Sequence, residues 1–295
     1  MTTLAINAGD PAVRAALRPA LARLSPGAPI VIMIHGFRYC PSGQATDPHC
    51  HILSDAPAIH HWKAVSWPGQ LQISDHGGLA IGFGWPGAGS IWAAHRRAEQ
   101  AGHDLADLIA EIASMAPGHP VHLIAHSLGA RVALHAIARS PAHRVRRAIL
   151  ITPAVFAREA TALATTDGLR HAEVFSILGH ENTLFDWLLR LALPLEGPTL
   201  GRGGPDLPHW LDLHLGRTPV LEALKGLGHA IDAPRARICH WSGYVRDGVW
   251  GLYRAILHRP AETPLPLLRD LMTAGAEPAA RASAPPFIGQ PETSL

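Results

Sequence analysis

Along most of the chain, short apolar runs alternate with segments whose apolar residues recur three and four positions apart. That alternation predicts strands joined by helices, and therefore a largely parallel sheet wrapped by helices. Asp10 caps a first helix, Pro11 suits its first turn, and Val13, Leu17, Ala20, Leu21 and Leu24 mark its apolar face until Pro26-Gly27 stops it, with Pro19 marking a kink. A buried strand over 30–34 then runs into His35-Gly36-Phe37, and a second over 79–84 ends in Trp85-Pro86-Gly87. Ala101, Leu105, Leu108, Ile109 and Ile112 line one face of a helix that Pro117-Gly118 closes. A strand over 121–125 feeds a helix marked by Ala130, Ala133, Leu134 and Ile137. Further strands are predicted over 148–152, 172–178 and 236–240, with a final helix carrying Val249, Leu252, Tyr253 and Ile256.

Two stretches break the rhythm. Residues 38–77 are rich in Pro, Gly, His and Asp without a sustained period, which predicts a long insertion with one short strand over 64–67. Residues 184–230 hold an apolar helix over 184–193, the Gly/Pro-rich turn GPTLGRGGP and a short helix over 221–227, and form a candidate lid. Beyond Pro260 the chain becomes Pro- and Ala-rich, so a single domain over 1–260 followed by a tail over 261–295 with a disordered end is expected.

Composition narrows the function classes. Of 295 residues, 47% are apolar and 16% charged, and the formal charge is only +2, so neither a polyanion partner nor nucleic acid is indicated. No apolar run reaches the roughly 18 to 20 residues of a membrane span, and the N-terminal MTTLAINAGDPAV lacks a signal-peptide pattern, so a cytoplasmic protein is expected. Cys40, Cys50 and Cys239 are too scattered for a disulfide framework or a zinc knuckle. His49, Cys50, His51, His60 and His61 suggest a metal, but no second half-site with zinc spacing accompanies them, and a polar loop is the preferred interpretation.

The chemistry gathers at AHSLG, where the strand over 121–125 turns at once into a helix. At such a bend only small residues fit two positions either side of the apex, here Ala125 and Gly129, and the apex hydroxyl of Ser127 is thrust outward. The new helix also aims free N–H groups at that point, so Leu128 N–H would meet an oxyanion beside Ser127 Oγ. A serine that merely caps a helix gives a similar pentapeptide. What distinguishes this one is the earlier His35-Gly36-Phe37 loop, which offers Phe37 N–H as a second donor.

With these motifs in order, residues 28–260 resemble the alpha/beta-hydrolase superfamily. Within it, HGF, WPG and AHSLG resemble a set of bacterial serine hydrolases with an F-x-W-P signature. The resemblance implies a mostly parallel central sheet flanked by helices and a catalytic order of serine, acid, histidine. His240, past the predicted last strand, is then the candidate base, with His229 as its rival. Glu181 is the favoured acid and Asp186 the alternative; the resembled pattern carries Asn-Asp where this chain has Asn182-Thr183.

The expectation is a serine hydrolase cleaving a small-molecule ester, or a thioester or amide, through an acyl-enzyme. Ser127 attacks, His240 moves the proton, Glu181 orients His240, and Phe37 and Leu128 hold the oxyanion, with no cofactor or metal. A non-catalytic binding protein on the same fold and a metal-dependent hydrolase are the other classes. Tyr39 and Trp85 are candidate pocket residues, and the apolar helix over 184–193, with Trp187, is a candidate cover for the mouth.

Overall fold

A run such as Ile30-Val-Ile-Met-Ile34, apolar at every position, has no face fit for water and must be covered on both sides. In the computed structural model, which describes residues 3–43, 45–58 and 61–274, all five of these side chains are buried. The strand belongs to a sheet of seven: β1 (Leu4–Asn7), β2 (Ile30–Ile34), β3 (Leu79–Gly84), β4 (Val121–His126), β5 (Val145–Ile151), β6 (Glu173–Leu178) and β7 (Trp210–His214). Their spatial order is β1-β3-β2-β4-β5-β6-β7 and every pair is parallel.

Parallel strands need crossovers, and helices supply most of them. Helices α1 (Val13–Leu21), α3 (Ile91–Met115), α4 (Gly129–Arg139), α5 (Ala157–Ala164) and α6 (Asp167–Arg170) cover one face. The other carries α2 (Trp67–Leu71), α8 (Thr218–Gly226), α9 (Ser242–Val245), α10 (Val249–His258) and α11 (Leu265–Ala274). The strand period of two divides side chains between the layers: Ile30, Ile32 and Ile34 pack with the first set, Val31 and Met33 with the second. Among the described residues no helix is long and apolar enough to cross a membrane.

The expected fold class, a mostly parallel central sheet flanked by helices, is the one found, but several elements differ in place. The strand expected over 236–240 is absent; positions 235–238 are exposed, and the edge is taken instead by β7, which pairs along β6. Its sequence WLDLH hid it, because Asp212 is partly turned to local work, accepting from Gly204 N at 2.6 Å and Trp210 Nε1 at 2.9 Å. The strand expected over 64–67 is helix α2, started by Ser66, whose hydroxyl accepts Gly69 N–H at 3.1 Å, with Pro68 in the first turn. The 184–230 block does not stand apart as one lid, since it contributes β7 to the sheet and α8 to a core layer. Only helix α7 (Thr183–Ala192) lies over the end of the sheet where the strands finish. The domain continues past residue 260 into α11, whose Leu265 and Leu268 are buried. The rest of the expected tail, 275–295, lies outside the described residues.

Candidate active site

Between the last residue of β4 and the first of α4 only Ser127 and Leu128 make the turn. Ser127 has φ +55°, a left-handed conformation that side chains other than glycine seldom adopt. Its backbone holds it there: the N–H donates to Ile151 O at 2.9 Å, and the carbonyl accepts from Ala130 and Ala154 N–H, both at 3.0 Å. The tight bend depends on Gly129, where a Cβ would strike the His35 carbonyl and stand 2.9 Å from Ile34 O.

The HGF and WPG loops are bolted together beside this turn. His35 is wholly buried, and burial drives its pKa down to about 3, so the ring is neutral. Its Nε2 accepts Trp85 N–H at 2.9 Å; the proton therefore sits on Nδ1, which donates to Gly36 O at 2.9 Å. Trp85 Nε1 in turn donates to His35 O at 2.9 Å, and the two rings stack 5.4 Å apart. Arg38 N–H donates to Gly87 O and Gly87 N–H to Tyr39 O, both at 2.9 Å. Trp85 is thus fully buried scaffold and does not line the cavity, whereas Tyr39 does.

His240 lies past the last strand, on an irregular loop that follows α8 rather than directly at a strand end, and three hydrogen bonds fix that loop. The His240 carbonyl accepts from His126 Nε2 at 3.0 Å and Thr152 Oγ1 at 3.2 Å, and Cys239 N–H donates to Glu181 O at 2.9 Å. The ring bridges two groups: Nε2 lies 2.7 Å from Ser127 Oγ, and Nδ1 lies 2.6 Å from Asn182 Oδ1. An amide oxygen cannot donate, so Nδ1 carries the proton and Nε2 presents its lone pair to the serine hydroxyl. Burial, aided by nearby His126 and Lys63, holds the imidazole well below its ordinary pKa, so it is a neutral base at neutral pH.

The structure does not bring Glu181 to His240. Its side chain is buried and pairs with Arg246 at 3.7 Å. Arg246 also donates to Asp232 O at 2.7 Å and Leu215 O at 3.0 Å, so the pair ties three loops together below the site. The next residue, Asn182, meets the imidazole instead, and its Nδ2 donates to Asp186 Oδ2 at 3.1 Å. Asn182 carries an amide where the resembled order of serine, acid and histidine leads one to expect a carboxylate. His229 lines a separate cavity away from Ser127.

A cavity of about 360 Å³ opens on Ser127 and His240. Phe37, Ile91, Leu188, Leu189 and Ala192 give it an apolar wall, and Phe185 stacks 4.7 Å from the His240 ring. Phe37 and Leu128 both line it, and among the described residues neither backbone N–H has a protein acceptor. Trp187 points outward, 54% exposed.

The insertion histidines take separate protein partners. His49 Nε2 meets Asn7 Oδ1 at 2.8 Å, His51 Nδ1 meets Tyr39 Oη at 2.9 Å, and Cys50 is exposed beside Asp47. His60 lies outside the described residues. Among the described residues, one set of ligand types spaced for a metal is Glu99, His103 and His135 on α3 and α4. There Arg131 already lies 3.0 Å from Glu99, and Glu159 takes His135 Nε2 at 2.8 Å.

An all-parallel sheet, a strand–serine–helix elbow at its carboxyl end and a histidine delivered from a late loop define the fold of an alpha/beta hydrolase. The family model described as serine aminopeptidase, S33, matches residues 81–190, which include the elbow and Asn182. No curated protein matches the chain. Among solved structures, TT1662 from Thermus thermophilus is similar at 14% identity and a TM-score of 0.40, over 65% of this chain and 82% of that one. An uncharacterized protein from Bacillus cereus is similar at 16% identity and 0.35, over 68% of this chain and 59% of that one. Carboxylesterase CesB from Bacillus subtilis is similar at 12% identity and 0.32, over 66% and 78%.

Proposed function

We propose that the protein is a serine hydrolase that cleaves small carboxylic esters with an apolar acyl group through an acyl-enzyme. His240 Nε2 takes the hydroxyl proton as Ser127 Oγ attacks the ester carbonyl, and Phe37 and Leu128 N–H receive the resulting oxyanion. Collapse breaks the bond to the alcohol, which leaves with the proton from His240. Water, deprotonated by the same imidazole, then attacks the acyl-serine and releases the acid. The orienting role falls to Asn182, whose amide oxygen accepts from Nδ1–H but brings no charge to the imidazolium that forms.

The observation that carries this assignment is the 2.7 Å approach of His240 Nε2 to a serine held at φ +55°. The cavity favours esters over the amino-terminal peptides suggested by the description of the matched family. An aminopeptidase needs a carboxylate for the free ammonium, and the only one among the lining residues, Asp186, is engaged by Asn182. A chain-length series of nitrophenyl esters tests this, with Ser127→Ala as blank. Turnover should be confined to the wild type and favour acyl chains that fill the cavity; equal turnover by the Ser127→Ala protein would exclude the nucleophile.

A further inference from the structure

We infer that Asp186 is a positioning residue that locks the Asn182 amide in one orientation and, through it, the tautomer of His240. The inference rests on the proposed Ser127–His240 pair and goes one residue further out. An asparagine beside a histidine is an ambiguous partner: its oxygen favours Nδ1–H, its NH2 favours a bare Nδ1. In the second case the proton moves to Nε2, and the ring can no longer accept from Ser127. Something must decide between the two faces of the amide.

Asp186 stands where that decision is made. It lies one helical turn beyond Asn182 on α7, and its Oδ2 is 3.1 Å from Asn182 Nδ2. An ionised carboxylate accepts only, so it repels the amide oxygen and selects the NH2 face, which turns Oδ1 toward His240 at 2.6 Å. A protonated carboxyl can donate to that oxygen, and the selection is lost. The lock therefore works only while Asp186 is charged.

The surroundings put the change of state in a useful range. Burial raises the Asp186 pKa to about 6, opposed in part by the Thr199 and Asn182 side chains. The imidazole is faced by His126 from β4, by Phe185 from α7 and by Trp241 of its own loop. Lys63 of the insertion sits over Trp241, 3.2 Å from the ring centre, and Arg38 lines the cavity. His126 is neutral, its pKa lowered to about 4 by burial, and His240 is itself held well below the usual histidine range. Burial lowers both imidazoles, and the Asp186→Asn protein separates an acid limb owed to Asp186 from one owed to either ring.

The test has two arms. In the first, the rate of reaction with a fluorophosphonate is followed from about pH 5 to about pH 9 for the wild type, Asp186→Asn and the swapped pair Asn182→Asp/Asp186→Asn. The wild-type rate should rise through a step near pH 6. Asp186→Asn should lose the step and run about tenfold slower on the plateau, because either face of residue 182 is then accepted. The swapped pair puts a carboxylate directly on Nδ1 and should regain the rate, without a step near pH 6. An unchanged step and plateau in Asp186→Asn would overturn the inference. In the second arm, 15N shifts of His240 are read in the Ser127→Ala protein, so the lock is tested even if the nucleophile assignment fails. Nδ1–H should dominate at pH 8 and give way to Nε2–H below about pH 6; a tautomer indifferent to both pH and Asp186→Asn would overturn it.

Discussion

A Cβ on Gly36 would stand 2.9 Å from the Cβ of Ser127 and 3.0 Å from His126 O. The loop that offers Phe37 N–H is therefore pressed against the elbow, and its closeness to Ser127 depends on the missing side chain. Gly36→Ala should force that loop away and cost about two orders of magnitude in kcat, the usual penalty for one lost oxyanion donor. Steady-state ester hydrolysis alongside thermal melting separates this from unfolding: a folded Gly36→Ala protein with wild-type kcat would show that Phe37 N–H is not used.

Glu181 and Asn182 are neighbours with opposite expected phenotypes. Glu181→Gln leaves the Arg246 charge buried without its partner and should destabilise the fold by about 3 kcal/mol, while the folded fraction keeps its turnover. Asn182→Ala removes the His240 partner and should lower kcat severalfold to a hundredfold with little change in melting temperature. Melting curves and kcat measured on both proteins check the division, and a catalytic defect confined to Glu181→Gln would reverse it.

Acid should unfold the protein through its buried histidines. His35 and His122 are held to about 3, and His126 and His258 to about 4, in each case chiefly by burial, against an ordinary value of 6.5. Between those values the unfolded chain binds protons that the folded one refuses, so stability is full above pH 6.5 and falls as the pH drops toward 3 to 4. Asp186 works in the opposite sense, because its raised value lets the folded state bind a proton between about 6 and 3.8. Four groups outweigh one, and the melting temperature should decline steadily below pH 6.5. His122→Phe, which removes one buried imidazole, should flatten that decline.

Acyl-chain preference should follow the wall formed by α7. Ala192 lines the cavity together with Leu188 and Leu189. Ala192→Phe places a ring in that space and should shift the preference among nitrophenyl esters toward shorter acyl chains, with kcat on acetate little changed. A chain-length profile identical to the wild type would place the acyl group elsewhere.

The sequence displayed most of the scaffold because strands buried on both faces must be apolar throughout, as Ile30–Ile34 is, and because a strand-to-helix turn around a serine needs small neighbours at fixed offsets. It hid what depends on local compensation. β7 carries Asp212 because it accepts from Gly204 N–H and Trp210 Nε1 at the sheet edge, and β1 is only four residues long. His240 is legible from its late position past the last strand, although no strand directly precedes it; hydrogen bonds of its loop to His126, Thr152 and Glu181 replace that support. The residue facing His240 Nδ1 was displaced by one. A search by residue type selects the carboxylate of Glu181, and only the fold shows that Arg246 has already claimed it. The Asn182–Asp186 spacing of four on a helical segment was the available signal.

The central claim, that His240 activates Ser127 as a nucleophile, is tested most directly by intact-mass and peptide-mapping analysis after treatment with a fluorophosphonate. A single adduct on Ser127, absent from Ser127→Ala and formed far more slowly in His240→Ala, is the expected result. A folded wild-type protein that takes up no label, or a Ser127→Ala protein that takes up as much, would contradict it.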